Sequence, residues 1–475
     1  MLNNVSMKYK QDLEGKKVTV FGLGLHGGGV SVVRFLARCG AQVTVTDLKS
    51  QEQLAPSLEK LREFKNINYV LGQHRREDFT QADMIVKSPA IPWNNTYIKT
   101  AQEHNVQIEM DSSLFFRYAP CPIIGVTGTK GKTTISLLTA RILKMVGEDI
   151  FEIGIGQIPV FDTLEKIKKD SIAVFELSSW RLSGLEKTGL KKSPHIAVFK
   201  NFLPDHLNYY ATMDAYLEDK KKIFEYQTKD DWVVLNHDDA IVRNFEREVH
   251  AQIVWFGFSR PKTGVCIYVE HGMIFIDDGI DRKEIVTTRA LGLKGKHNIV
   301  NAMAAIGACW AHGVSLEKLK KHTPRLEGVP HRLEFVGEVH GVKYYNDTTA
   351  TIPEAVISAL HSFTQSVILV AGGSEKGLQY ESFAKSVSHR AKNVVFLKGS
   401  ATSHMKEALE KVLGEKAQDF SEVSSMESAV HKASELAQSG DVIVLSPGAS
   451  SFGMFENEFD RGDQFRNAVR KMKRR

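Results

Sequence analysis

Residues 123–133 of this chain read IIGVTGTKGKT. The first half of the stretch is a short apolar run typical of a buried strand, and the second half is a glycine-rich turn leading into a helical pattern. Consecutive backbone N–H groups in such a turn, continued by a helix N-terminus, form a pocket for phosphate oxygens. Position 126 is valine, so the spacing departs from the strict GxxxxGK form. The order of strand, loop and helix nevertheless predicts a nucleoside triphosphate site.

The same alternation of strand and helix patterns continues on both sides of this stretch. The length of 475 residues exceeds what one hydrophobic core supports, so two or three domains are expected. We predict three α/β domains in series: a Rossmann-like domain at 1–118, a central phosphate-loop domain with a mostly parallel sheet at 119–326, and a second Rossmann-like domain at 327–475. The predicted strands lie at 17–21, 42–46, 84–86, 122–126, 172–175, 195–199, 232–235, 342–345, 367–371, 394–397 and 441–445.

The charge balance gives little reason to expect a nucleic-acid partner. The formal net charge is +6, and the basic residues are spread along the chain apart from short runs at 220–222 and 470–475. A terminal basic run is usually a solvated helix end, and a mildly basic protein that handles anionic nucleotides accounts for the balance. We therefore expect small-molecule substrates, no nucleic acid, and a monomer.

The cysteines and the apolar runs indicate the compartment. The four cysteines, Cys39, Cys121, Cys266 and Cys309, are far apart and form no CxxC pair. This argues against a zinc site or a disulfide framework and fits a reducing environment. The first residues lack the apolar segment of a signal peptide, and no apolar run approaches the roughly 18 residues of a membrane helix. We expect a cytoplasmic protein without a membrane partner.

The phosphate loop has residues suited to a bound nucleotide. Lys132 is expected to neutralise charge on the β- and γ-phosphates, and the Thr133 hydroxyl to ligate Mg²⁺. A glycine turn with a solvated lysine is the alternative, which the order of strand, loop and helix disfavours. The predicted loop contacts to ATP are Gly128, Thr129, Lys130, Gly131, Lys132, Thr133 and Thr134.

Polar residues follow two further strands of the central domain. Glu176 comes directly after the strand at 172–175, and the stretch 201–206, NFLPDH, follows the strand at 195–199. The carboxyl ends of parallel strands share one edge of a sheet, so these residues face the same side as the phosphate loop. Mg²⁺ prefers hard oxygen ligands and substrate phosphates, which makes Glu176 a candidate ligand.

Three motifs together resemble one family. These are TGTxGKT after a strand, NxxxDH at 201–206, and GxHNxxNA at 295–302. They are similar to the motifs of the Mur ligases and of the related folylpolyglutamate synthases. The resemblance extends over essentially the whole chain and implies an ATP-dependent ligase that joins an amino acid to a carboxylic acid, with two Mg²⁺ sites. It further implies that His206 helps to hold the second metal ion.

The resemblance implies a specific role for one lysine of the basic run at 220–222. In Mur ligases a lysine three residues before an Ile/Leu-Tyr/Phe pair is carbamylated by CO₂ and then supports a Mg²⁺ ion. Lys220 stands in that position relative to Ile223. Carbamylation requires a neutral amine, which neighbouring cations favour by lowering the pKa. A solvated basic helix face is the alternative for these lysines. Catalytic roles are therefore expected for Lys132, His206 and a carbamylated Lys220, with Thr133, Glu176, His206 and Lys220 as metal ligands.

The remaining ATP contacts are expected from two domains. Asn298 and Asn301 lie three residues apart, so on a helix both amides reach the same ligand, which the resemblance implies is adenine. A helix-capping role is the alternative for Asn298. The resemblance also implies that Arg332 reaches the ATP phosphates and that Asp347 holds the ribose. Because these residues lie on different domains, we expect domain closure to complete the site.

The N-terminal domain distinguishes among related ligases. Residues 22–28, GLGLHGG, and Asp47 invite a dinucleotide interpretation, but a lone glycine-rich turn is weak evidence. In the glutamate-adding Mur ligases a similar domain binds the uridine diphosphate of the acceptor, and the folylpolyglutamate synthases lack it. The acceptor contacts implied by the resemblance are Gly22, Leu23, Gly24, Asp47, Ser88, Pro89, Ala90 and Gln157.

The third domain is expected to bind the incoming amino acid. By resemblance Thr351, Lys376 and Ser451 contact the glutamate carboxylates, and a lysine with hydroxyl groups suits a dicarboxylate. Thr349 stands where the glutamate-adding ligases carry a lysine. The predicted activity is the addition of D-glutamate to UDP-N-acetylmuramoyl-L-alanine, with L-glutamate or another Mur-type reaction as alternatives. A nicotinamide-dependent oxidoreductase and a nucleotide-regulated binding protein are the rivals from other classes.

Overall fold

The structure is a computed structural model that describes residues 4–25, 27–155, 158–205, 209–262, 264–293, 295–326, 328–375, 377–414 and 420–473. The predicted α/β class with mostly parallel sheets in three domains is confirmed. The chain divides into two compact units, Met1–Ala290 with Val300–Pro324, and Leu291–Ile299 with Arg325–Arg475. The first unit contains two of the sheets, and the second unit contains the third.

The first sheet has the strand order β3-β2-β1-β4-β5, and every neighbouring pair is parallel. Parallel neighbours need crossover connections, which helices supply. The order reverses between β1 and β4, where a crevice for a ligand forms at the carboxyl ends of the strands. The elements are β1 Lys17–Phe21, β2 Gln42–Asp47, β3 Ile67–Leu71, β4 Met84–Lys87 and β5 Gln107–Glu109, with α1 Asn4–Leu13, α2 Gly28–Arg38, α3 Gln51–Glu59, α4 Glu77–Thr80, α5 Thr96–Glu103 and α6 Asp111–Tyr118.

The second sheet contains the phosphate loop. Its strands are β6 Ile123–Thr127, β7 Ile150–Ile153, β8 Ile172–Glu176, β9 Ile196–Phe199, β10 Trp232–Asn236, β11 Gln252–Gly257, β12 Val265–Glu270, β13 Met273–Asp277 and β14 Arg282–Thr287. They follow the order β14-β13-β12-β11-β10-β9-β6-β8-β7, parallel from β7 to β12 and antiparallel from β12 to β14. The two antiparallel strands were not among the predicted elements.

Helices cover this sheet and carry several of the predicted site residues. The helix that carries the start of the basic run at 220–222 ends at Lys221, and the chain continues as a turn. The α-helices are α7 Lys132–Met145, α8 Ser179–Lys187, α9 Met213–Lys221, α10 Ala240–Arg243, α11 Lys296–Ala311 and α12 Leu316–His322, and short 3-10 helices lie at Leu164–Lys166, Asn244–Arg247 and Thr323–Arg325.

The third sheet belongs to the second unit. It has the order β15-β16-β20-β17-β18-β19, in which only the edge pair of β15 and β16 is antiparallel within the described residues. The elements are β15 Glu334–Val339, β16 Val342–Asn346, β17 Val367–Gly372, β18 Ala391–Leu397, β19 Ser421–Val423 and β20 Val442–Leu445, with α13 Pro353–Leu360, α14 Glu381–Arg390, α15 Ser400–Leu413, α16 Met426–Leu436 and α17 Glu458–Lys473.

The hydrophobic cores explain why the central strands read as continuous apolar runs. Leu369 packs into one cluster and its neighbour Ile368 into another, because both faces of the third sheet are covered. In the first unit a single cluster of buried side chains extends through both sheets, from Val20 of β1 to Phe175 of β8. Within the described part of the chain, no helix is both long enough and apolar enough to cross a lipid bilayer.

Candidate functional site

The phosphate loop joins β6 to α7 as the sequence predicts. Gly128 and Gly131 have φ angles of 145° and 95°, values that favour glycine. Gly131 precedes the first residue of α7, so the first-turn N–H groups of this helix point towards the loop. Lys132 Nζ donates to the carbonyl oxygens of Gly128 and Thr129, both at 3.1 Å. The loop therefore holds the ammonium group of its own lysine, while Thr133 and Thr134 lie on the first turn of the helix.

Asn201, the first residue after β9 and Lys200, braces the phosphate loop. Its Oδ1 accepts hydrogen bonds from the N–H groups of Thr129 at 2.9 Å and Lys130 at 3.0 Å. Its carbonyl oxygen also accepts from Thr129 N, and Lys130 Nζ forms an ion pair with Asp205 at 3.0 Å. The NxxxDH motif thus supports the phosphate loop, although Asn201 lies 72 residues after Thr129 in the sequence. His206, the last residue of the motif, lies outside the described residues.

Lys220 on α9 contacts the same loop. The residue is 1% exposed, its Nζ donates to Gly128 O at 2.9 Å, and its ammonium lies 4.8 Å from the centre of the Tyr216 ring. Burial, and then the charge of Lys132, lowers the pKa of Lys220 well below its usual value. Tyr216, which the sequence did not single out, also donates to Thr129 Oγ1 at 3.4 Å.

The two lysines after Lys220 have different surroundings. Lys221 forms ion pairs with Glu218 and Glu248, and Lys222 forms ion pairs with Glu186 and Glu225. Among the described residues, no carboxylate oxygen lies within 4.0 Å of Lys220 Nζ. Of the basic run, Lys220 alone combines burial, the loop contact and a pKa shifted towards the neutral amine.

Glu176 ends β8 beside the phosphate strand, directly opposite Val126 in the register of the two strands. Its Oε2 atom is buried and has no hydrogen-bond partner among the described residues. A buried carboxylate oxygen without a donor is costly, and a cation would satisfy it. Within the described chain no group of three or more His, Cys, Asp or Glu forms a ready-made metal cluster. Glu176 and the Thr133 hydroxyl therefore fit a Mg²⁺ ion that also depends on substrate phosphates.

The asparagines of the GxHNxxNA motif lie on α11. Asn298 is the third residue of this helix, so it lies inside the first turn and not at the capping position. Asn298 and Asn301 are both buried. A Cβ atom on Gly131 would lie 2.7 Å from Asn301 Oδ1, which places this amide against the phosphate loop.

In the second unit, Asp347 follows β16 and braces the turn around Arg332. Its Oδ1 accepts from Leu333 N at 3.1 Å and its Oδ2 from Ser446 Oγ at 3.0 Å. The residue is 9% exposed, and burial raises the pKa of its carboxyl to about 7. His331 and Leu333 on either side of Arg332 have φ angles of 64° and 45°, values that residues other than glycine rarely adopt. One carboxylate oxygen of Asp347 thus holds the backbone beside Arg332, and the other binds the hydroxyl group of Ser446 in the loop after β20.

A fully buried arginine, which the sequence did not single out, supports the predicted glutamate contacts. Arg461 on α17 is 0% exposed, and its Nη2 and Nε donate to Thr348 O at 2.9 Å and Thr348 Oγ1 at 3.0 Å. Its Nη1 donates to Ala449 O at 3.2 Å. These bonds join the loop after β16, which carries Thr351, to the loop after β20, which carries Ser451. Lys376 lies outside the described residues.

In the first unit, the glycine turn after β1 is closed by Asp47. Its Oδ2 accepts from the N–H groups of Leu23 at 2.9 Å and Gly24 at 3.0 Å. Gly22 has a φ of 93°, and a Cβ atom there would lie 3.1 Å from Ser88 Cβ, so glycine permits the close approach of the two strand ends. Asp47 is thus committed to shaping the turn. Pro89 and Ala90 follow Ser88, and Gln157 lies outside the described residues.

A cavity of about 150 Å³ lies beside this turn, and Ser88, Pro89, Asp111 and Arg181 are among its lining residues. Arg181 Nε and Nη2 donate to Asp111 Oδ2 at 3.1 and 2.9 Å. Arg181 belongs to α8 and Asp111 to α6, so the ion pair joins helices that follow different sheets of the first unit. Neither residue was predicted from the sequence.

The sequence of the chain matches three protein-family models that cover its three sheets in turn. Residues 16–109 match the Mur ligase MurD-like N-terminal domain, residues 126–309 the Mur ligase middle domain, and residues 331–448 the Mur ligase glutamate ligase domain. Each stretch contains the strands and loops described above.

Relatives of known name match over almost the whole chain. The chain is 40% identical over 464 residues to the UDP-N-acetylmuramoylalanine–D-glutamate ligase of Roseiflexus sp. (strain RS-1), which covers 96% of this chain and 99% of that protein. It is 34% identical over 463 residues to the enzyme of the same name from Clostridioides difficile (strain 630), which covers 97% of this chain and 100% of that protein.

Solved structures support the fold. The UDP-N-acetylmuramate-alanine ligase MurC of Thermotoga maritima has a TM-score of 0.59 at 17% identity and covers 96% of this chain and 99% of that one. A pseudomurein peptide ligase type C from Methanothermus fervidus has a TM-score of 0.56 at 19% identity, covering 96% and 100%. The three family-model matches and the relatives at 40% and 34% identity agree with the geometry of the phosphate loop. This chain therefore belongs to the Mur ligase family, whose members are ATP-dependent, Mg²⁺-using enzymes that form amide bonds.

Proposed function

We propose that this chain joins D-glutamate to the alanine carboxylate of UDP-N-acetylmuramoyl-L-alanine, with ATP converted to ADP and phosphate. The observation that carries the proposal is the convergence of three groups on one edge of the second sheet: Lys132, Lys220, and the Glu176 oxygen that has no partner among the described residues. The names of the two relatives, at 40% and 34% identity, supply the acceptor and the amino acid. The alternative of a nicotinamide-dependent oxidoreductase gives Lys132, Lys220 and Glu176 no role in the reaction.

The reaction proceeds in two steps. An oxygen of the acceptor carboxylate attacks the γ-phosphorus, the bond to the bridging oxygen breaks, and an acyl phosphate and ADP result. The amine of glutamate then attacks the acyl carbon, and the carbon–oxygen bond to phosphate breaks as the amide forms. Lys132 neutralises charge that develops on the transferred phosphoryl group. His206 is proposed to help remove the proton that the amine loses.

Thr133, Glu176, His206 and Lys220 are the proposed ligands of Mg²⁺ at two sites. When bound, the metal ions supply charge neutralisation for the phosphates. The orphaned Oε2 of Glu176 supports this assignment. Lys220 joins the set as a carbamate, because the carbamylated side chain carries a carboxylate in place of an ammonium group. Burial and the absence of a described carboxylate partner favour the neutral amine that reacts with CO₂.

The substrate contacts are proposed as follows. For ATP they are Gly128, Thr129, Lys130, Gly131, Lys132, Thr133, Thr134, Asn298, Asn301, Arg332 and Asp347. For the uridine nucleotide they are Gly22, Leu23, Gly24, Asp47, Ser88, Pro89, Ala90 and Gln157. For glutamate they are Thr351, Lys376 and Ser451. The structure qualifies two of these roles, because Asp347 and Asp47 already use their carboxylates to hold the turns at Arg332 and Gly24.

We also propose that the enzyme works as a cytoplasmic monomer on small-molecule substrates, with domains at 1–118, 119–326 and 327–475. The cysteines support the compartment, since Cys39, Cys121, Cys266 and Cys309 are buried free thiols.

L-glutamate is the second candidate for the amino acid. The observation that favours it is Thr349, which replaces a lysine of the glutamate-adding ligases and whose hydroxyl donates to His331 O at 2.9 Å. The decisive experiment measures phosphate release from ATP with UDP-N-acetylmuramoyl-L-alanine and either D-glutamate, L-glutamate or other amino acids. Release that requires the acceptor and D-glutamate supports the proposal. Release that is equal without any amino acid, or that is selective for L-glutamate, contradicts it. An acceptor that lacks the alanine carboxylate serves as the control.

A further inference from the structure

Lys200, the residue between β9 and Asn201, lies against the phosphate loop and has no role in the function proposed so far. It is buried, with 6% of the residue exposed. Its backbone N–H donates to Thr127 O at 3.1 Å, which fixes the start of the side chain at the end of the phosphate strand. A Cβ atom on Gly128 would lie 3.2 Å from Lys200 Cβ. The aliphatic part of Lys200 therefore runs along the loop.

The ammonium end of this side chain reaches the far end of the loop. A Cβ atom on Gly131 would overlap Lys200 Nζ and lie 2.8 Å from Lys200 Cδ. The same Cβ atom would lie 2.7 Å from Asn301 Oδ1, so the ammonium and this amide approach one point. Any residue other than glycine at position 131 would displace the lysine. The glycine of the loop thus makes room for a side chain as well as for a left-handed backbone.

The three lysines that contact the phosphate loop lie at different ends of it. Lys132 and Lys220 direct their ammonium groups to the carbonyl oxygen of Gly128, at the start of the loop. Lys200 lies at the other end, beside Gly131 and the amide of Asn301. The proposed function assigns Asn301 to adenine and Lys132 to the β- and γ-phosphates. The phosphate nearest the adenine side is the α-phosphate.

We propose that Lys200 is a further cation of the nucleotide site and contacts the α-phosphate group. This inference rests on the proposed nucleotide site. An ammonium group at this end of the loop can donate a charge-assisted hydrogen bond to an anionic phosphate oxygen. Lys200 would contact the α-phosphate of AMP, ADP and ATP alike. Lys132 would contact only the β- and γ-phosphates, which AMP lacks.

The test is a set of calorimetric titrations of the full chain with ADP, AMP and adenosine in the presence of Mg²⁺. In K200M we expect the affinity for ADP and AMP to fall about 10- to 100-fold while the affinity for adenosine is unchanged, as expected for the loss of a hydrogen bond to a charged group. In K132M the affinity for ADP falls and that for AMP does not. K87M, which removes another buried lysine but from the first sheet, leaves all three unchanged.

The outcomes separate this inference from the proposed function. Wild-type protein that binds no ADP overturns the nucleotide site itself. Wild-type protein that binds ADP, with a K200M variant that binds AMP equally well, overturns only the role of Lys200. An equal loss of AMP and adenosine binding assigns Lys200 a packing role and also overturns it. If K200M does not fold, as judged by circular dichroism, K200R and K200Q replace it, and the inference requires K200R to bind AMP more tightly than K200Q.

Discussion

Arg181 and Asp111 form a paired contact in which Arg181 Nε and Nη2 both donate to Asp111 Oδ2, at 3.1 and 2.9 Å. The side chains are 18% and 7% exposed, so water weakens the pair little. The residues lie 70 positions apart and line the cavity next to the glycine turn of the first sheet. This ion pair therefore connects the proposed acceptor cavity with the helix that follows Glu176.

We predict that R181M raises KM for the acceptor several-fold and changes KM for ATP little, because Arg181 lines the cavity beside the proposed acceptor contacts Ser88 and Pro89 and does not contact the described phosphate loop. The loss of the partner leaves Asp111 buried, and we expect a destabilisation of about 2–3 kcal/mol, below the largest values for buried pairs. Steady-state kinetics and thermal unfolding measure the two effects. The double variant R181M/D111N should recover part of the stability, and equal rises in both KM values would contradict the assignment.

Lys220 is predicted to be indispensable. K220A should lose at least about 100-fold in kcat, a loss typical of removing a group that stabilises transition-state charge. K221A is the matched control, because Lys221 pairs with Glu218 and Glu248 away from the loop. Carbon-13 NMR with labelled bicarbonate should show a carbamate signal in wild type and in K221A. A K220A enzyme with full activity, or a signal that persists in K220A, would refute carbamylation at this position.

Arg461 should affect both stability and glutamate use. R461M leaves Thr348 O and Ala449 O without their donors inside the protein, and unsatisfied buried groups cost about 1–3 kcal/mol each. We expect a lower melting temperature and, in the folded fraction, a raised KM for glutamate, because the loops carrying Thr351 and Ser451 lose the side chain that links them and keep the backbone bond from Gly448 N to Ala350 O. R470M is the control, since Arg470 is exposed on the same helix. Glutamate kinetics that match wild type would show that Arg461 stabilises the fold alone.

Asp347 should make stability depend on pH. Burial raises its pKa from 3.8 to about 7 in the folded chain. The folded state therefore keeps a proton that the unfolded state releases, so this group destabilises the fold progressively as pH rises from about 4 to about 7, by at most about 1.4 kcal/mol per pH unit. Below that window its penalty disappears, and above it the penalty is constant.

The variant D347N removes the titration and preserves the shape of the side chain. Its melting temperature relative to wild type should increase between pH 4.5 and 7.5 and then level off. A difference between the two proteins that does not change over this range would contradict the assignment. The measurement is made without substrates, because Asp347 is also a proposed ATP contact.

Much of the fold could be predicted from local patterns. The strands around the phosphate loop are buried on both faces, so they appear in the sequence as unbroken apolar runs, and Glu176 stands out because it ends one of them. The antiparallel strand β14 escaped prediction, since polar residues such as Arg282 and Glu284 interrupt it at the edge of the sheet, and its apolar neighbour β13 was not predicted either.

The supports of the site could not be predicted from spacing. Asn201 reaches Thr129 across 72 residues, and Arg461 reaches Thr348 across 113. Such contacts depend on which strand ends the topology brings together, and no local periodicity reports them. The same applies to Asp47, whose place at the end of β2 is visible in the sequence. Its bonds to Leu23 and Gly24 are visible only in the structure.

The apolar cluster shared by the first two sheets has a consequence for how the chain is made. A segment that ends near Tyr118 has emerged with one side of its core unfilled, because partners such as Phe175 are still to be synthesised. The nascent N-terminal part must then remain loosely packed, and exposed to chaperones, until the second sheet arrives. The second unit has its own apolar clusters, and their buried members lie between Leu333 and Val469. Cutting the gene after residue 118 should therefore yield an insoluble product, which a solubility assay of the expressed segment measures.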